Sequence, residues 1–370
     1  MPASMWRGSV ALGLAAALSL AACASGRDAS GQDGNGQDAE VTQPAAGLRW
    51  FGGYLDVTIL PGLSLQDAPS PGKATTVLSF ITSSPDNPCE PSWGRSYGLE
   101  QASSRLGLDA QVDAFRKAGN DIAISFGGQL GKELAVTCTD ADALTRAYEE
   151  VINRYGPATV DLDVEGAAAA DPAAAQRRAA AMARLQDSRP PEAPLKVWLT
   201  LPVSVQGLTP AAVISLETMI AAGVELAGVN LMTMNFGPLA QGQSMLDAST
   251  SAAEASHRTL AGIYENAGKP LDAAGLWERI GLTPMIGQND VPGQIFTLED
   301  AEGLNSFAQE RGVGRMSMWS LNRDKGCSSL DEVQAPNVAA HSCSGVEGPP
   351  GMFAEALSRG FADTDSAAGP

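Results

Sequence analysis

Val160-Asp161-Leu162-Asp163-Val164-Glu165-Gly166 is the stretch on which the reading of this chain turns. Its three acids are spaced by two among Val and Leu, so on a β-strand the carboxyls share one face and the aliphatic residues take the other. A solvated edge strand has no need of alternate residues this large and apolar, and neither the glycine nor the terminal bidentate Glu of an EF-hand Ca²⁺ loop accompanies the acids. Each carboxyl added to one face raises the cost of ionising its neighbours. At least one proton therefore stays at neutral pH, on Glu165 or shared between Asp161 and Asp163.

Outward from this strand, apolar β-rich runs alternate with Ala-rich helical stretches, the pattern of a parallel sheet with crossovers. Eight strands are expected, at 54–59, 76–81, 121–126, 159–164, 196–202, 228–234, 280–286 and 315–321, and eight βα units make an α/β fold of the TIM (β/α)8 barrel type. Helices are expected at 141–155 behind Thr139-Asp140, from Pro172 to 186, from Thr209-Pro210 to Gly223, at 297–311 before Gly312, and at 352–359. The segment 60–73 is rich in Pro, Gly and Ser, so the first βα unit is expected to be degenerate. An open doubly wound sheet would want a phosphate loop after its first strand, and Tyr54 to Pro61 offers none.

The amino terminus reads as a targeting segment. Arg7 precedes an apolar run from Val10 to Leu20, too short to span a bilayer, and Leu20-Ala21-Ala22-Cys23 resembles a bacterial lipobox. Residues 1–22 are then a signal peptide and Cys23 a lipidated first residue, with ordinary signal cleavage as the alternative. Residues 23–47 read as a flexible tether, 48–362 as the barrel domain and 363–370 as a disordered tail. The remaining four cysteines suit an exported protein, and their places in the loops pair Cys89 with Cys138 and Cys327 with Cys343. His257 and His341 are the only histidines and neither stands at ligand spacing to a cysteine, so no metal and no cofactor are expected. A net charge of −18 argues against a nucleic-acid partner and leaves a neutral substrate, a monomer, and membrane contact only through the lipid.

Asp161-Leu162-Asp163-Val164-Glu165 resembles the D-x-D-x-E signature of glycoside hydrolase family 18, the chitinases and their relatives. Three further stretches follow in family order: Ser125-Phe126-Gly127-Gly128 is similar to the S-x-G-G turn, Met232-Thr233-Met234-Asn235-Phe236 to the M-x-Y-D strand, and Met318-Trp319-Ser320 to the late strand ending in Trp. The resemblance implies endo-acting, retaining hydrolysis of β-1,4-linked N-acetylglucosamine, with the substrate's acetamido oxygen as nucleophile. Glu165 would be the acid and later the base, Asp163 would hold the acetamido N–H, and Asp161 would set the protonation state of Asp163. Each carboxyl lies about 6.6 Å farther out than the last on an extended strand.

Trp319 would form the apolar floor under the sugar, while Tyr54, Ser125, Gly127, Gly128, Met232, Met234, Asn235 and Phe236 complete the expected site. Trp93 and Tyr97 could stack neighbouring sugars, and Gly127 to Gly131 reads as a turn that lets a sugar approach the backbone. The departures are Ala158 and Thr159, remote from the chemistry, and Met234 and Asn235 where the motif has Tyr and Asp. Met234 leaves a hydrogen bond to the acetamido oxygen unfilled, which points to slow turnover or a narrower substrate range. A non-hydrolysing chitinase-like lectin and an endo-β-N-acetylglucosaminidase are the alternative readings. Soluble oligomers are favoured over crystalline polymer, because no separate chitin-binding module is visible.

Overall fold

The computed structural model describes residues 49–59, 63–68, 75–328 and 340–361 of the 370. The expected signal peptide, Cys23, the tether and the tail 363–370 lie outside them. Among the described residues no helix is long and apolar enough to cross a membrane.

Eight strands form a closed parallel barrel: β1 Trp50–Asp56, β2 Thr75–Ser83, β3 Asp121–Gly127, β4 Thr159–Asp163, β5 Lys196–Ser204, β6 Leu226–Met232, β7 Ile280–Thr283 and β8 Arg315–Met318. Each pairs with the next in sequence, and β1 pairs with both β2 and β8, which closes the ring. Asp56 and Asn322 lock that seam, the backbone N–H of Asp56 donating to Asn322 Oδ1 and Asn322 Nδ2 donating to the Asp56 carbonyl.

The crossovers are α1 Leu108–Lys117, α2 Ala141–Tyr155, α3 Pro172–Asp187, α4 Pro210–Ala221, α5 Met245–Asn266 and α6 Leu298–Arg311, and α7 Met352–Ser358 follows β8. Their starts are capped as their sequences suggest. Asp140, Asp171 and Thr209 each accept from N–H groups of the first turn, Pro172 and Pro210 occupy positions that need no donor, and Gly156 and Gly312 end their helices left-handed. Between β1 and β2 the described part, 63–68, contains turns and no helix; the rest of that segment lies outside the described residues.

Alternation along the strands separates two interiors. Val160 and Leu162 of β4 and Val164 just after it, with Val197, Leu199 and Leu201 of β5, face outward into the main core under the helices. Asp161, Ser125 and Thr200 face the barrel axis, which is therefore polar at mid-height. Cys89–Cys138 and Cys327–Cys343 are the disulfides.

The first strand begins four residues before its expected start and ends at Asp56. Gly52 and Gly53 obscure it, because glycine weakens a strand, yet the packing needs both. A Cβ on Gly52 would lie 2.3 Å from the Trp50 ring, and one on Gly53 would lie 2.8 Å from the Leu321 side chain. The sixth, seventh and eighth strands end earlier than expected, at Met232, Thr283 and Met318. Residues 234–236 and 319–320 consequently lie in the loops at the carboxyl ends, where barrels of this kind carry their sites.

Candidate active site

Asp161 is the deepest acid and is fully engaged. Its Oδ1 accepts from Thr200 Oγ1 (2.6 Å) and Arg315 Nη1 (2.7 Å), and its Oδ2 accepts from Ser125 Oγ (2.7 Å) and the Tyr54 hydroxyl (2.8 Å). Both members of the Asp161–Arg315 pair are wholly buried. The guanidinium carbon of Arg315 lies 4.7 Å from the centroid of the Trp50 ring and 5.4 Å from that of Trp198, so aromatic faces replace part of its hydration. The four hydrogen bonds of Asp161 go to these neighbours and none to Asp163, so Asp161 anchors the axis. Burial pushes the Tyr54 hydroxyl well above its ordinary pKa, so it stays a donor.

Asp163 is one pleat farther out. Its carbonyl accepts from Gly128 N–H (3.1 Å), and its carboxyl Oδ1 is buried with no hydrogen-bond partner among the described residues. Burial, then the charges of Glu165 and Asp161, push this carboxyl well above the usual range, with Arg315 opposing. Glu165, just past the strand, is pushed up to about 7 by burial first and the charge of Asp290 second. Both outer carboxyls thus hold a proton more tightly than free ones do, and the charge of Glu165 adds to the shift of Asp163. A protonated Glu165 can give its proton to an oxygen, and an unpartnered Asp163 can receive an N–H.

Both acids line an open cavity of about 1040 Å³, solvent at its mouth included. Trp319 and Phe80 stack in its wall with centroids 5.3 Å apart and planes 19° from parallel. Met232, Met234 and Met285 add apolar surface, while Asn235, Asp290 and Arg323 add polar groups. A flat apolar wall beside two carboxyls suits one pyranose ring.

Of the residues expected from sequence, Tyr54, Asp163, Glu165, Met232, Met234, Asn235 and Trp319 line this cavity. Ser125 lies beneath it, on Asp161. Trp93 and Phe236 do not line it. Trp93 is fully buried and donates from Nε1 to the Tyr155 hydroxyl (3.0 Å), because Pro91–Trp93 pairs antiparallel with the end of β2 and turns the indole inward. Tyr97, on the adjoining Tyr97–Gly98 strand, packs against the core and does not line the cavity either. Phe236 is 1% exposed and packs in the main core. Gly127 and Gly128 do not line the cavity and are crowded by neighbouring protein groups: a Cβ on Gly128 would lie 2.7 Å from the Phe80 ring.

Sequence reasoning missed Phe80, Thr200, Asp290, Arg323 and Arg315. The cue for Arg315 is a lone cation opening an apolar run, and for Asp290 the polar triplet Gln288-Asn289-Asp290 shortly after a strand. Among the described residues no group of His, Cys, Asp and Glu is arranged to hold a metal ion.

No protein-family model matches the chain. Over 256 residues, 67% of its length, it is 36% identical to a probable bifunctional chitinase/lysozyme of Escherichia coli (strain K12). It is 34% identical to endochitinase 11 of Metarhizium anisopliae over a stretch of the same length. The match spans 28% of the bacterial relative and 47% of the fungal one. In three dimensions it resembles active domain 2 of the thermostable chitinase of Pyrococcus furiosus, seen as catalytic-site mutants complexed with chito-oligosaccharides. The TM-score is 0.72 at 27% identity, over 87% of this chain and 97% of that one.

Proposed function

We infer the reaction from kinship and geometry together: the chain belongs to glycoside hydrolase family 18, the chitinases, and its outer acids suit hydrolysis assisted by the substrate's own acetamido group. The substrate is a β-1,4-linked N-acetylglucosamine polymer or oligomer. Asp163 accepts the acetamido N–H and turns the acetamido oxygen toward the anomeric carbon. Glu165 protonates the leaving glycosidic oxygen, and once the leaving sugar departs the resulting carboxylate takes a proton from water. Water then opens the oxazolinium ring, with retention. In its ionised form Asp163 also offsets the positive charge that grows on the acetamido group. Asp161, held by Arg315 and three hydroxyls, fixes the strand on which the other two stand.

The observation that carries this reading is the buried, unpartnered Oδ1 of Asp163 below a Glu165 whose carboxyl titrates near 7. A Glu165 that holds its proton up to about neutral pH and an Asp163 oxygen with no partner, beside a stacked aromatic wall, match an acid and an amide acceptor better than a static binding surface. The test is product release from labelled chitotetraose. Wild type is expected to cleave it, and Glu165→Gln to bind it without cleavage. Wild-type protein that binds and never cleaves is a lectin, the reading that Met234 in place of a hydroxyl donor favours.

We place the enzyme outside the cytoplasm, anchored to a bacterial membrane through lipid on Cys23. The lipobox-like Leu20-Ala21-Ala22-Cys23 and two disulfides in an oxidising compartment support this. Labelled fatty acid should enter wild-type protein and not Cys23→Ala, which should leave the membrane fraction. Equal labelling of both would refute the anchor.

A further inference from the structure

Residues 340–344, which follow β8, lie against the loop after β7 and are pinned there at three points. Cys343 is joined to Cys327. Arg323, buried, donates from Nη1 to the Ala340 carbonyl and from Nη2 to the Ile286 (3.0 Å) and Gln288 (2.6 Å) carbonyls, so one guanidinium ties residue 340 to that loop. The Gln288 backbone N–H donates to the Ser344 carbonyl (2.8 Å), and the Ser344 N–H donates to the Lys325 carbonyl (3.0 Å). The two backbones approach so closely that a Cβ on Gly287, at φ 68°, would collide with the Ser344 carbonyl oxygen.

His341 stands between these pins and lines the catalytic cavity together with Glu165 and Trp319. It is exposed, while Cys343 and Ser344 beside it are wholly buried. Its ring has no hydrogen-bond partner among the described residues. A held backbone thus presents one unengaged polar ring to a cavity suited to sugars. Neutral imidazole carries one donor and one acceptor, which complements a sugar hydroxyl, and a backbone already fixed loses little freedom on binding. Asp163, at the floor, is only 4% exposed. The exposed His341 therefore stands nearer the rim, beside a ring other than the one whose acetamido group reaches Asp163.

We propose that His341 is a sugar-binding residue at the rim of the cavity, where it holds a neighbouring ring of the chito-oligosaccharide, with Cys327–Cys343 and Arg323 as the devices that position it. The proposal rests on the reading of this cavity as a chito-oligosaccharide site. None of the four motifs in the sequence includes His341. A contact to a ring that does not react is equally strong in the ground and transition states, so its loss raises KM and leaves kcat alone.

The test measures kcat and KM on chitotetraose, and Kd by calorimetry with Glu165→Gln added to each protein. The variants are His341→Ala, His341→Gln and the pair Cys327→Ser with Cys343→Ser. His341→Ala is expected to raise KM and Kd about fivefold, with kcat and melting temperature unchanged. His341→Gln keeps a donor and an acceptor and should recover part of the loss. The cysteine pair should weaken binding by a similar factor, and adding His341→Ala to it should cost little more, because a ring that is no longer held contributes little. Unchanged KM and Kd in His341→Ala overturn the proposal, as do losses from His341 and the cysteines that multiply in full. Should the cysteine variant fail to fold, the two His341 variants decide. Wild type that binds chitotetraose and never cleaves it defeats the general-acid reading alone, and Kd still decides this one. Wild type that binds no chitotetraose overturns the reading of the cavity, and the proposal with it.

Discussion

A Cβ on Gly127 would stand 2.0 Å from the carbonyl oxygen of Asp163. Strands β3 and β4 approach so closely there that only a hydrogen fits, and Gly127 also adopts φ 110°, which side chains disfavour. Gly127→Ala must therefore push β4 away at Asp163. The expected outcome is a stability loss on the order of 3 kcal/mol, read from urea unfolding, and loss of most cleavage activity even where the variant remains folded.

Glu165 makes stability depend on pH in a direction opposite to that of a salt-bridged acid. Burial pushes its folded carboxyl up to about 7, from an ordinary value of 4.5. The folded state therefore holds that proton more tightly, and this contribution is full below about pH 4.5 and lost as pH rises through 7. Glu165→Gln cannot ionise. Thermal melts should show it more stable than wild type at pH 8, with the two converging toward pH 4, and a constant difference across that range would refute the shift.

Trp93 and Trp319 should separate stability from binding. Trp93→Phe strands the Tyr155 hydroxyl and should cost about 1–2 kcal/mol of stability, with chito-oligosaccharide affinity unchanged. Trp319→Ala should weaken that affinity about tenfold or more. Calorimetric titration of both variants with chitotetraose checks the contrast.

Arg315→Ala would leave the Asp161 carboxylate buried opposite no cation. Removing one member of a buried pair costs about 3–5 kcal/mol, so the variant should unfold at much lower denaturant. The double variant Arg315→Met with Asp161→Asn, which removes both charges, should recover part of that loss.

Features set by local chemistry were legible in the sequence. Period-two acids on β4, the caps Asp140 and Thr209, and the left-handed stops Gly156 and Gly312 each report on neighbours a few residues away. What was not legible comes from partners distant along the chain. Trp93 looked like a surface aromatic among Pro, Ser and Gly, yet a short antiparallel pairing with Ile81 turns it inward. Asp290 carries no periodic signal, and its pairing with a residue 55 positions earlier appears only once β6 and β7 are adjacent. Gly127 and Gly128 matched a motif, but the reason for both is the approach of Asp163 and Phe80, which no run of letters displays.

Asp161 and its cation are separated by 154 residues, and the Asp56–Asn322 seam joins the first strand of the barrel to the segment after the last. A ribosome accordingly delivers the deep carboxylate long before its counter-charge, and half a barrel is left with an ion in its middle that nothing neutralises. Such a nascent fragment has little to gain by compacting early. The eighth strand converts it in one step, supplying the guanidinium and, through Trp319, the wall on which a sugar would rest.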